Sequence, residues 1–166
     1  MTQVLVQNGV CSAVKIGIDF GTTRIVVAAV DRGNYPLVNF EAPDGNSRDW
    51  FPPLVAVRGE TRVYGWNAWH VQGQPGWTIV RSLKRCLKDA GPETRIEIGS
   101  QSFEVRQLLR EMMAALRVQL REHSTLPDDG NKALEAMLEC RQMRTAVSAF
   151  LPPKPLARRG STFWDC

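Results

Sequence analysis

The feature that most constrains the fold is a short turn between two apolar stretches near the start of the chain. Val14–Phe20 alternates apolar with small or polar residues, and Ile25–Val30 is a second run rich in β-branched residues. Residues 21–24, Gly-Thr-Thr-Arg, stand between them. The pattern predicts two strands joined by a tight turn. Because no helix pattern follows the turn and no G-x-x-x-x-G-K-[ST] motif occurs, a P-loop and a dinucleotide fingerprint are excluded.

The remaining patterns predict a mixed α/β domain. Turn residues at 31–34 and 43–46 separate short apolar runs, which predicts a meander of antiparallel strands. We expect further strands at Leu37–Phe40, Trp50–Val57, Arg62–Tyr64 and Lys132–Leu138, and helices at Gly65–Val71, Ile79–Leu87 and Val105–Leu120. The last of these carries apolar residues at i, i+3, i+4 and i+7, the pattern of a helix that buries one face.

Composition and charge narrow the class of protein. The 166 residues, 43% hydrophobic and 23% charged, suit one globular domain. The 21 basic and 17 acidic residues are interspersed, and the four cysteines are widely separated, so we expect neither a nucleic-acid partner nor a Cys/His metal site. No run approaches the roughly 18 apolar residues of a membrane span, and the first residues lack the pattern of a secretory leader. These features predict a cytoplasmic protein without a membrane partner.

The residues around the turn have the chemistry of a phosphate site. Gly21 lets the backbone approach a ligand closely, and the hydroxyls and amides of Thr22 and Thr23 can bond phosphate oxygens. Asp19, at the end of the first strand, can hold a hydrated Mg²⁺, which usually keeps several waters. The alternative is a hairpin turn with no ligand.

A family resemblance extends this interpretation. I-G-I-D-F-G-T-T at 16–23 resembles the first phosphate motif of the seventy-kilodalton heat-shock chaperones, which belong to the actin, hexokinase and sugar-kinase superfamily. Downstream, segments 42–46 with 51–57, 63–68 and 82–85 are similar, in the same order, to that family's turn and strand, its x-x-G-x-x-A segment and its K-R helix. The resemblance covers residues 14–138, and Arg24 and residues 47–50 depart from the family pattern.

The resemblance implies a fold, ligands and site residues. The fold is an α/β, actin-like ATPase lobe of the ribonuclease H-like type, here incomplete, with ATP or ADP and Mg²⁺ as ligands. Asp19, Gly21, Thr22, Thr23 and Arg24 form the nucleotide-binding segment, and Asp19 contacts the metal through water. In the same way, Lys84 corresponds to the lysine that positions the water attacking the γ-phosphate, a role suited to phosphoryl transfer.

The alternative for Lys84 is a solvated lysine on a basic helix face with Arg85 and Lys88. The full-length parent would bind unfolded peptides and co-chaperones.

The ends of the chain do not continue the resemblance. We divide the sequence into an extension at 1–13, the partial lobe at 14–138 and a tail at 139–166. Read one nucleotide out of frame, codons allowed for 139–144 can encode Gly-Val-Pro-Ala-Asn-Ala, and Val-Pro-Ala occurs in the family at this strand end. We therefore expect a frameshifted, disordered tail without selected function. The alternatives are a sequencing error, a divergent tail, or a proline-rich ligand around Pro152 and Pro155.

Together these features predict a truncated chaperone-type ATPase lobe. The sequence has no second phosphate motif, adenosine motif, interdomain linker or peptide-binding domain, so we expect ATP hydrolysis in the parent and little or none in this chain. One alternative is a non-enzymatic module that binds a nucleotide or a partner protein. Another is a fragment of a sugar or metabolite kinase, which shares D-x-G-T-T but is disfavoured by the helix at Lys84 and the turn at Asn46.

Overall fold

A computed structural model of the chain describes residues 13–139 except 89, 92 and 127–132. Of the extension predicted at 1–13 only Ala13 is described, and of the tail predicted at 139–166 only Glu139, which belongs to the last strand and not to a disordered tail; the rest of both segments lies outside the described residues. The described residues form a mixed α/β fold, as predicted. Its strands are β1 Val14–Phe20, β2 Ile25–Ala29, β3 Phe40–Glu41, β4 Ser47–Arg48, β5 Val55–Arg58, β6 Thr61–Tyr64, β7 Thr78–Val80, β8 Arg95–Ile98, β9 Gln101–Glu104 and β10 Leu134–Glu139. Its helices are α1 Gly65–His70, α2 Leu83–Cys86 and α3 Val105–Glu122.

The first and last strands meet in a three-stranded sheet of order β10-β1-β2. β1 and β2 are antiparallel, and Phe20 and Ile25 form the last pair before the turn. The predicted strands and tight turn are therefore confirmed. β10 runs parallel to β1 over its whole length. A parallel neighbour requires a crossover connection, and α3 lies in that connection. The returning strand is therefore also confirmed, and it extends to Glu139.

The two faces of this sheet differ in burial. Ile16, Ile18 and Phe20 are buried and belong to the main hydrophobic core, together with the inward residues of β2 and β10. Because side chains alternate along a strand, Gly17 and Asp19 lie on the opposite face, where Asp19 is exposed. The strand therefore buries its apolar residues and presents its carboxylate to solvent just before the turn.

Outside this sheet, three of the predicted elements differ from the structure, and the strands β4, β8 and β9 were not predicted. The helix predicted at Ile79–Leu87 is wrong in its first part, because residues 78–80 form β7 and pair antiparallel with β5 in a sheet of order β6-β5-β7. Only one helical turn remains, α2. The strand predicted over 50–57 begins at Val55, since the two prolines before it lack the N–H groups that a ladder requires. The strand predicted over 37–40 reduces to a bridge at Leu37 and the start of β3.

The amphipathic helix is confirmed as α3. Its apolar stripe is buried in the main core: Val105, Leu108, Leu109, Met112, Met113, Leu116 and Leu120. On its flank, Glu111 accepts two hydrogen bonds from Arg62 at 2.9 and 3.0 Å, one from the Tyr64 hydroxyl and one from Gln107 at 2.8 Å. These bonds connect α3 to β6. No helix in the described ranges is long and apolar enough to cross a membrane.

Candidate functional site

The hairpin turn, residues 21–24, is closed by its own backbone. The Gly21 N–H donates to the Arg24 carbonyl at 2.9 Å. A Cβ at Gly21 would overlap that carbonyl oxygen, so this position requires glycine because of close backbone approach. The Thr22 and Thr23 amides donate to no backbone carbonyl among the described residues. Thr22 is half-buried and Thr23 is exposed, so the tip of the turn is accessible to solvent.

Asp19 lies at the base of this turn. It pairs with Val26 on β2 and Glu139 on β10, and its side chain is exposed on the outer face of the sheet. No group of three or more His, Cys, Asp or Glu residues that could hold a metal occurs in the described part of the chain. A single exposed carboxylate beside the threonine turn fits Mg²⁺ held through water and phosphate, because Mg²⁺ needs few protein ligands in that setting.

Lys84 lies on a different element from the other predicted site residues. It belongs to α2, which Leu83 and Leu87 anchor in the main core, and its side chain is half-buried. Asp19, Gly21 and the two threonines come together because they are nearly consecutive along the chain. The role of Lys84 near the γ-phosphate stays a prediction.

A cluster of three tryptophans, which was not predicted from the sequence, lies beside the hairpin turn. The Trp50 ring lies 5.0 Å from the Trp66 ring and 5.5 Å from the Trp69 ring, and the latter two are 5.8 Å apart. The Arg24 guanidinium carbon lies over the Trp50 ring, 5.3 Å from its centroid. Arg24 therefore belongs both to the turn and to the edge of the aromatic cluster, in a cation–π geometry.

Two local structures bring the tryptophans together. Ile25 and Phe51 exchange both backbone hydrogen bonds, at 2.9 and 2.8 Å, which sets Trp50 beside the residue that ends the turn. On α1, Trp66 and Trp69 are three residues apart and so share one side of the helix. The i, i+3 spacing was visible in the sequence, but the pairing that adds Trp50 was not.

The first residue of α1, Gly65, lets this helix pack closely against Phe51. Gly65 has φ +58°, in the left-handed region, and a Cβ there would overlap the Phe51 ring. Three residues on, Ala68 is fully buried in a small second core. The G-x-x-A spacing at 65–68 therefore has a packing reason in this fold.

The tryptophans line an open cleft of about 500 Å³, hereafter the tryptophan cleft. Its lining residues are Ala42, Pro43, Asp44, Arg48, Trp50, Trp66, Trp69 and His70. Asp44 accepts hydrogen bonds from the Asn46 amide at 3.0 Å and from Arg48 at 2.9 Å. These bonds, that of Asn46 first, lower the pKa of Asp44 to about 2. At neutral pH the cleft therefore has aromatic walls and a rim with one fixed ion pair.

No protein-family model matches this chain, and no curated protein matches it either. The resemblance to heat-shock chaperones thus depends on the motifs themselves. Among their residues, Gly21, Gly65 and Ala68 each have a definite steric or packing reason in the structure.

Proposed function

We propose that residues 14–138 are the first lobe of an actin-like ATPase domain of the heat-shock chaperone type, and that the hairpin turn binds the phosphates of ATP or ADP. The arrangement of the main sheet supports the assignment, since an antiparallel pair is followed through a helix by a strand parallel to the first. A parent protein of this type would couple ATP hydrolysis to protein folding in the cytoplasm, with unfolded peptides and co-chaperones as partners.

The observation that carries the proposal is the geometry of the turn. Its closure through Gly21 and Arg24 leaves two consecutive threonines, one half-buried and one exposed, whose amides donate to no backbone carbonyl among the described residues. Successive amides at a turn form a small concave anion site, and threonine hydroxyls add further donors. The turn also follows directly on the exposed Asp19.

Each residue then has a chemical role with the nucleotide bound. Thr22 and Thr23 orient the phosphates, and Arg24 adds positive charge at the edge of the turn. Asp19 would hold Mg²⁺ through water, and the metal would neutralise phosphate charge. Lys84 would position water near the γ-phosphate. Phosphoryl transfer requires such placement and electrostatic stabilisation rather than a covalent nucleophile.

The second candidate is a non-enzymatic nucleotide-binding module. It is favoured by the small number of groups at the turn, where the described residues place one carboxylate, Asp19, and keep the lysine on a separate helix. A site this open cannot exclude water or fix the γ-phosphate in line. We therefore expect the 166-residue chain to bind MgATP with a dissociation constant of about 1 mM and to show no turnover above buffer.

The test is a titration of MgATP followed by ³¹P NMR of the nucleotide. The purified chain should shift the β- and γ-phosphate signals, and the double variant Thr22→Ala, Thr23→Ala should lose the shift, because both hydroxyls are removed at the turn. The matched control is Thr61→Ala with Thr78→Ala, which removes two exposed threonine hydroxyls from β6 and β7. An equal loss of binding in both double variants would contradict the proposal.

A further inference from the structure

The two places where the sequence departs from the chaperone pattern are in contact in the structure. Arg24 departs beside the threonines, and residues 47–50 depart in the turn that follows. The Arg24 guanidinium lies over the Trp50 ring at 5.3 Å. The departures therefore form one surface, which extends from the hairpin turn into the tryptophan cleft.

The contacts along this surface are continuous. Arg24 is covalently next to Thr23, Trp50 lies under its guanidinium, and the Trp69 ring is 5.5 Å beyond Trp50. Trp69 is 47% exposed, so much of its ring is open to a ligand. A ligand with an anionic end at the threonines could thus place a second group against Trp69 without leaving the surface.

The tryptophan cleft favours a flat ring as the part of the ligand that contacts Trp69. Its volume of about 500 Å³ lies within the range of small-molecule sites. Tryptophan faces stack on every nucleobase, which has its own π face. Trp66 also lines the cleft but is only 4% exposed, so a ligand can stack mainly on Trp69. A flat heterocycle can stack there, which an aliphatic group cannot.

Other ligand chemistries fit less well. The Arg24 guanidinium already lies over one tryptophan ring, so a cationic ligand would be repelled there, whereas the charge of Arg48 on the rim is balanced by Asp44. A wholly apolar ligand would desolvate the ion pair between Arg48 and Asp44 without replacing its hydration. Arg24 attracts a ligand that carries phosphates.

We propose that the tryptophan cleft binds the base of the nucleotide whose phosphates lie at the hairpin turn, with the ring stacked on Trp69. This inference rests on the proposed function, since it takes the phosphate position from it. It gives the chain a base-binding surface of its own and assigns Arg24 to the junction between base and phosphates.

The test compares two ligands that differ only in the base. ATP and ribose 5-triphosphate have the same sugar and phosphates, and each is titrated with Mg²⁺ by ³¹P NMR. Tryptophan fluorescence excited at 295 nm reports stacking directly. The variant is Trp69→Leu, and the matched control is Trp77→Leu, because Trp77 is a tryptophan outside the cleft that has a guanidinium nearby, with Arg58 4.7 Å from its ring centroid, as Arg24 lies near Trp50 within the cluster.

We expect ATP to bind about tenfold more tightly than ribose 5-triphosphate, as stacking on one aromatic side chain allows. ATP should quench tryptophan fluorescence. Trp69→Leu should remove most of the preference and the quench while leaving ribose 5-triphosphate binding unchanged. Trp77→Leu should keep both the preference and the quench.

The outcomes separate this inference from the proposed function. Equal affinity for the two ligands, lost in both cases with Thr22→Ala and Thr23→Ala, would overturn the base site and leave the phosphate site standing. Quenching by ATP that persists in Trp69→Leu would also overturn the base site. If neither ligand bound at millimolar concentration, both proposals would be wrong.

Discussion

The hairpin turn and the tryptophan cleft are adjacent but are built in opposite ways. The turn consists of four consecutive residues, and one backbone hydrogen bond from Gly21 to Arg24 closes it. The cleft is assembled from residues 42–50 and 66–70, two segments that meet only because β5, β6 and the bridge at Phe51 have formed. A site built from consecutive residues can therefore be recognised in a sequence. A site assembled from distant segments depends on tertiary contacts, which leave little signal in the sequence.

The same difference predicts how each site fails. A change that disturbs tertiary packing should damage the cleft first, and a change in the turn should damage phosphate binding while the core stays intact. A change on the flank of α3 should lower stability without a specific effect on either site. Three substitutions test these cases, in order from the largest to the smallest expected effect on stability.

The largest effect is expected from Gly65→Ala, which affects the cleft. The new Cβ would overlap the Phe51 ring and would sit at φ +58°, so both overpacking and backbone strain oppose it. We expect a loss of about 3 kcal/mol in the free energy of unfolding, measured by urea denaturation. Gly73→Ala is the control, since its φ is +81° but its Cβ would meet nothing within 4 Å. Equal costs for the two variants would show that the Phe51 contact does not constrain α1.

The second effect is expected from Gly21→Ala in the turn. Its Cβ would overlap a backbone oxygen, that of Arg24, so the turn must open. We expect a cost of about 2 kcal/mol and loss of the ³¹P shift with MgATP. Gly17→Ala, on the strand β1 that leads into the turn, has no atom within 4 Å of the added Cβ and should keep both stability and binding. A Gly21→Ala variant that still bound MgATP normally would show that phosphate binding does not depend on the closed turn.

The smallest effect is expected from Glu111→Gln, on the flank of α3. Burial raises the pKa of Glu111, but hydrogen bonds from Arg62, Tyr64 and Gln107 outweigh it and hold the pKa below the ordinary 4.5. The stabilisation is therefore complete above that pH and is lost as pH falls below it, because the unfolded state binds the proton more readily. We expect a loss of about 1.5 kcal/mol at pH 7 that shrinks toward pH 3, measured by urea denaturation.

The control for this prediction is Glu104→Gln. Glu104 forms an ion pair with Arg95 at 3.3 Å in which both side chains are about half exposed. Such a surface pair contributes about 0.5 kcal/mol or less. A cost at Glu111 no larger than at Glu104, or one that does not change with pH, would contradict the role given to the hydrogen bonds of Arg62 and Tyr64.

The sequence predicted the elements that depend on local pattern. β1, β2 and α3 follow from alternation and from the apolar stripe, and β10 from a short apolar run after a turn. The helix predicted at Ile79–Leu87 failed because pairing with β5 outweighed helical spacing in a β-branched run. Of the candidate site, the hairpin turn could be predicted from the sequence and the tryptophan cluster could not. The turn is contiguous, but the contact between Arg24 and Trp50 depends on a bridge between residues 25 and 51.

The central claim is that the hairpin turn binds phosphate through its own backbone and threonine hydroxyls. The most direct measurement is amide ¹H–¹⁵N NMR of the chain during a titration with Mg²⁺ and ATP. The account predicts the largest shifts at Thr22 and Thr23, with a smaller shift at Gly21, whose N–H is already bonded to the Arg24 carbonyl. Unchanged amides at 21–24 at 10 mM nucleotide, or shifts confined to another region, would contradict it.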